Sequence, residues 1–103
     1  MTRANPHRGE ASIEVAGETL VLRPTFEALV AAEEELGPLF ALIERAAEGK
    51  LALGEIAALF DHASQSRPAA ISRERIGEAI IERGLASATP VLRTLLGQIL
   101  QGR

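Results

Sequence analysis

The sequence predicts an α+β protein that is mainly helical: an N-terminal β-hairpin followed by about five short α-helices. Three observations predict it. Apolar residues alternate on both sides of Ala16-Gly17-Glu18, the pattern of two strands joined by a tight turn. Beyond Pro24 the alternation gives way to apolar spacings of three and four, the period of one helical face. Gly and Pro then punctuate the helical stretches at Gly37-Pro38, Gly49, Pro68, Gly84 and Pro90.

In chain order, residues 1–10 are an expected flexible tail of Arg, Asn, Pro, His and Gly without apolar periodicity, and residues 11–103 are expected to form a single, mainly helical domain. Ile13 and Val15 alternate in the first strand, Leu20 and Leu22 in the second. Because an isolated hairpin is marginal in water, that face must pack on helices. Pro24 cannot donate to a ladder and ends the strand. Thr25 is a natural N-cap for a helix carrying Phe26, Leu29, Val30 and Leu36 on one face. Gly37 stops it and Pro38 opens the next helix, whose stripe is Leu39, Leu42, Ile43 and Ala46, ending at Gly49. Leu53, Ile56, Leu59, Phe60 and Ala63 mark a helix over roughly residues 52–65. A loop from Ser64 to Ala70 contains Pro68. Ser72 caps a fourth helix with Ile76, Ile80 and Ile81, stopped at Gly84. Thr89 and Pro90 read as cap and first turn of the last helix.

Composition narrows the functional classes. With 103 residues the chain can bury one core. Three Phe and no Tyr or Trp make that core aliphatic and leave few aromatic anchors for recognition. No Cys means no disulfide, no thiolate metal site and no thiol nucleophile, which fits a reducing compartment. The first ten residues hold no apolar stretch of a secretory signal, and no apolar run approaches the roughly 18 residues of a membrane span. A cytoplasmic location is the expectation. Net charge is −3 and unevenly spread. Residues 9–61 carry eleven acids against Arg23, Arg45 and Lys50, whereas residues 62–103 carry six Arg against Glu74, Glu78 and Glu82. Two readings fit: the halves neutralise each other within one chain, or complementary patches drive head-to-tail self-association.

Two places depart from simple helix rules. Glu33, Glu34 and Glu35 crowd the last turn of a helix, where the macrodipole is already negative and each costs about 0.3–1 kcal/mol if unpaired. They read either as a solvated or Arg-paired face or as an acidic docking patch. In the final helix, Val91, Leu92, Leu95, Leu96, Ile99 and Leu100 cover an arc of about 180°, wider than a one-sided surface helix needs. Either that helix is central to the fold, or part of its stripe is left for a partner.

Chemistry-bearing residues are sparse. His7 lies in the tail. His62 follows Asp61, but neighbours on a helix point about 100° apart and do not face each other. Two isolated His and no Cys form no metal-ligand set, no glycine-rich phosphate loop is present, and no cofactor is expected. The expectation is a non-enzymatic protein. Residues 72–100 can be written as helix–turn–helix, but Pro90, Val91 and Leu92 occupy the start of the would-be recognition helix, where polar residues are needed to reach base edges.

The chain resembles the small family found in the tail gene clusters of gene transfer agents and related siphophages, described as tail assembly chaperones or as tail tube proteins. The resemblance rests on His7-Arg8-Gly9-Glu10 before a strand and on Leu20-x-Leu22 leading into Thr25-x-x-Ala28-Leu29, closed by Glu33 and Gly37. Ala41-Leu42 through Glu48-Gly49-Lys50-Leu51 and Gly84-Leu85 before the last helix complete it. It implies a tail assembly chaperone that binds the tape measure protein until the tube forms around it. Leu92, Leu96 and Leu100 would then form part of the partner groove, with Glu33, Glu34 and Glu35 on its edge. Replacing the three leucines by Ser should abolish partner binding without unfolding the domain; unfolding would make them core. The alternatives are a structural tail tube or connector subunit and a small DNA-binding regulator.

Overall fold

The computed structural model describes residues 10–102. The predicted tail lies outside them, apart from Glu10. Strands β1 (Ala11–Val15) and β2 (Glu18–Leu22) form an antiparallel hairpin, followed by α1 (Phe26–Leu36), α2 (Leu39–Ala47), α3 (Leu53–Ala63), α4 (Arg73–Arg83) and α5 (Ala88–Gln101), with a 3-10 turn over Leu85–Ser87. This is the α+β, mainly helical architecture the sequence predicts.

The hairpin register pairs Val15 with Glu18 and Ile13 with Leu20 across a two-residue loop. Both loop residues have positive φ, 51° at Ala16 and 80° at Gly17, the turn whose twist matches that of the strands. Val15, Leu20 and Leu22 are buried, with Ile13 packed beside them, so the predicted face is the one used. β1 lies against α4 and α5, and β2 against α3. The Arg23 N–H donates to the Ala63 carbonyl at 2.8 Å, joining the hairpin's exit to the end of α3.

The main core gathers hairpin residues with Ile56 and Phe60 of α3, Ile76 and Ile80 of α4, and Leu95 of α5. A second cluster joins Ala32 of α1, Leu59 of α3 and Leu96 of α5, with Ile43, Ala46 and Leu92 against it. α3 serves both, and Phe60 is fully buried at its centre. α2 contributes one buried residue, Leu42. Beyond Leu42 it rests Ile43 and Ala46 on the second cluster and makes two polar ties: the Glu33 carboxylate accepts the Leu39 N–H at 3.0 Å, and Arg45 forms a two-pronged pair with Glu55 of α3, one bond of it 2.9 Å.

Three local readings differ from expectation. α1 turns Ala28 and Ala32 inward, while Phe26 and Val30 stay exposed. Alanines one turn apart let α1 sit close to α3, and the larger side chains fit only on the outside. Ile81 is likewise exposed on α4, where Ile76 and Ile80 already fill the buried face. Thr89 is not the cap of the last helix. The 3-10 turn has set the helical direction before it, and the Ser87 hydroxyl donates to the Gly84 carbonyl at 2.6 Å. Pro90 then sits in the first turn, where its missing N–H is not needed. The Thr25 and Ser72 caps form as predicted, accepting from the N–H groups of Ala28 and Arg75.

Candidate partner-binding groove

The last helix divides its wide apolar arc between two jobs. Leu95 and Val91 face the main core and the hairpin. Leu92, Leu96 and Leu100, three successive turns of the adjacent face, line a groove of about 560 Å³ between α2 and α5. Ile43, Ala46 and Ala47 form the opposite wall, and Leu85 stands at one end. Leu96 is the floor, only 5% exposed and part of the second cluster. Leu92 is half-buried and touches both clusters. Leu100 and Leu85 are the open apolar side chains, 49% and 56% exposed. Phe40, 73% exposed, precedes Ile43 and Ala47 by three and seven residues on α2, so its helical position extends the same wall.

Polar detail around the groove is thin. Arg93 is the one charged residue in the lining. It makes no ion pair among the described residues. Gly97 and Gly49 keep the walls low.

The structure separates the three glutamates, and none of them lines the groove. Glu33 caps α2 through Leu39. Glu34 is exposed. Glu35 turns to the opposite side of α1, into a charged cluster where Arg73 grips it with both terminal nitrogens, one at 2.9 Å, and His62 Nε2 lies 2.8 Å away. Arg73 also reaches Asp61 at 2.9–3.0 Å, and Asp61 pairs with Arg67 as well. Hydrogen bonds from Arg73 and His62 hold the Glu35 carboxyl down at about 2, and the same contact with Glu35 raises the Arg73 guanidinium. Glu35 takes the Arg-paired reading that the sequence offers, with an Arg from the basic half. The particular partners are not legible in the sequence, because the members of the cluster are far apart along the chain; the absence of any Lys or Arg one turn before the glutamates says only that a partner must be distant.

Arg67 is the other residue the sequence did not single out. Its guanidinium donates to the carbonyls of Ile71 at 2.6 Å, Asp61 at 3.0 Å and Ser64 at 3.2 Å. Together with the buried Ser64 hydroxyl, which donates to the Phe60 carbonyl at 2.7 Å, it gives the loop between α3 and α4 its shape. His62 is committed to Glu35, and His7 lies outside the described residues. Among the described residues no group of His, Asp and Glu has the arrangement of a metal site. No described helix is long and apolar enough to cross a membrane.

A family model described as phage tail tube protein, GTA-gp10, matches residues 8–102. The chain belongs to this family. Membership makes it a structural protein of the phage tail or gene transfer agent kind, with tail proteins as its class of partner. The match spans the hairpin and all five helices, including both walls of the groove. Neither the curated proteins nor the solved structures hold a match to the chain.

Proposed function

We propose that the protein is a non-catalytic tail assembly chaperone that holds a helix of the tape measure protein in the α2–α5 groove. One observation carries the reading: a groove with an apolar floor, built by the core itself, keeps Leu100 and Leu85 open at its edge. Burying a side chain of that size is worth about 1.5–3 kcal/mol, and an amphipathic helix is the partner shape such a groove accepts. A chaperone of this kind shields a long helical protein until tube subunits replace it. The test is co-expression with the tape measure protein of the same gene cluster, followed by size-exclusion chromatography with light scattering. A soluble complex lost on Leu100→Ser supports the reading. A free monomer beside an aggregated partner overturns it.

A second reading is a tail tube or connector subunit, favoured by the family's own description. A tube ring draws on sheet, and the described residues offer one two-stranded hairpin. Self-assembly into rings or filaments without any partner would select it. The DNA-binding reading has less support. Beyond the internal ion pairs, the exposed charge among the described residues is mostly acidic, Glu18, Glu27, Glu33, Glu34, Glu44, Glu74, Glu78 and Glu82 against Arg75 and Arg93. Such a surface repels phosphates rather than replacing their counterions.

A further inference from the structure

The groove's two rims carry opposite charge. On α5, Arg93 lines the opening itself. On α2, Glu44 is exposed and follows the lining residue Ile43; at 100° per residue it falls about 60° beyond Ala47, on the outer flank of that wall. Neither forms an ion pair among the described residues, although Arg45 and Glu55 close by are paired with each other. Folding therefore leaves one anion and one cation unspent on either side of an apolar channel.

Gly97 is the second observation. It lies in the interior of α5, where glycine weakens a helix relative to alanine. The fold does not require it there: φ is not positive, and a methyl group placed on it would meet nothing outside its own helix within 4 Å. Yet Gly97 lines the groove opposite Ala46 and Ala47. Small residues on both walls are what a backbone passing close over α5 requires. The lining from Thr89 to Leu100 runs for three turns, about 16 Å, enough to seat a helix.

We infer that the groove takes an amphipathic helix whose two flanks carry opposite charge, crossing α5 at Gly97 with its basic flank on Glu44 and its acidic flank on Arg93. The inference rests on the groove being the partner site, and it adds what the partner helix must look like. An apolar stripe supplies the binding energy. The rim charges choose among apolar helices and fix which way round the chosen one lies. Reversing the helix exchanges its flanks, so a single direction satisfies both rims.

The probes are three synthetic amphipathic helices of about five turns with one identical Leu/Ala stripe. One has Glu on one flank and Lys on the other, the second has Glu on both flanks, and the third Lys on both. Binding to the full chain is read by fluorescence anisotropy at low salt. The mixed-flank helix is expected to bind about threefold more tightly than either uniform one, with the difference fading as salt rises. Arg93→Glu makes both rims acidic and moves the preference to the Lys-flanked helix. Gly97→Ala raises the melting temperature of the free protein, yet weakens the mixed helix about tenfold or more. That opposition separates a crossing point from a merely structural glycine.

Equal binding of the three helices, or a Gly97→Ala protein with unchanged affinity, overturns the inference. If Leu100→Ser still abolishes binding in that case, the groove remains the partner site and only its selectivity has been misread. If no helix binds and light scattering shows a dimer that Leu100→Ser dissociates, the occupant is a second copy and both readings fall.

Discussion

Arg73, in the first turn of α4, closes on Glu35, in the last turn of α1, across 38 residues of chain, and extends the same guanidinium to Asp61 on α3. Three helices thus meet at one cation. The acidic and basic halves of the sequence find each other inside a single molecule here, and again at Glu14–Arg83 and Asp61–Arg67.

The Glu35 contact has a pH signature. Its carboxyl is held at about 2, below the ordinary glutamate value near 4.5. A depressed carboxylate contributes stability that is complete above the unfolded value and is lost as pH falls through the folded one. Glu35→Gln should therefore cost stability at pH 7, by about 1 kcal/mol, since solvent screens a partly exposed pair. The gap from wild type should shrink between pH 4.5 and 2. Urea midpoints measured across that range check it; a gap that does not change with pH would disprove the linkage.

Arg67 should matter more to folding than any other exposed or half-exposed cation. Arg67→Ala leaves the carbonyls of Ile71, Asp61 and Ser64 without this donor, at an expected cost of about 2 kcal/mol or more. Arg67→Lys should recover little, because an ammonium cannot span three acceptors held by a planar fork. Thermal melts of the two variants, compared with Arg75→Ala as a surface control, decide it.

The two faces of α5 should respond in opposite ways. Leu95→Ala opens a cavity in the main core and is expected to cost about 2–5 kcal/mol. Leu100→Ser, at an exposed position, should stay within about 0.5 kcal/mol of wild type. Chemical denaturation measures both. A large loss at Leu100 would mean that the groove is closed in solution.

Ala16 holds a left-handed conformation that costs an L-residue about 1–2 kcal/mol. Ala16→Asn supplies a residue at home there and turns the loop into Asn-Gly, the preferred two-residue hairpin pair. An increase in stability of about 0.5–1 kcal/mol is expected, visible as a higher melting temperature with unchanged partner binding.

Much of the fold was legible because its signals are local. Thr25 and Ser72 are caps wherever a helix follows, and Gly37 and Gly84 stop helices by their own backbone freedom. The groove leucines were legible for a related reason: an arc of apolar residues wider than one buried face is visible in the spacing alone. What could not be read depended on choices among equivalent faces. Phe26 and Val30 share the apolar periodicity of α1 with its alanines, and only the close approach of α3 decides in favour of Ala28 and Ala32. The glutamates look like one patch in sequence, but a helix points consecutive residues in three directions: Glu33 went to the start of α2, Glu35 to Arg73 and His62, and Glu34 to solvent. Arg67 carries no sequence signal, since its acceptors are backbone carbonyls.

α2 is fastened by one fully buried leucine, by Ile43 and Ala46 resting half-buried on the second cluster, by one capping carboxylate and by one ion pair with α3. Mechanically it is the compliant wall of a channel whose other wall, α5, is embedded in the core. Its amides should exchange with solvent earliest among the helices, and the channel should widen by tilting α2 rather than by disturbing α5. A partner would then be gripped by a jaw with one fixed side and one yielding side, able to accept helices of different girth along a long protein, each paying only for bringing α2 to rest.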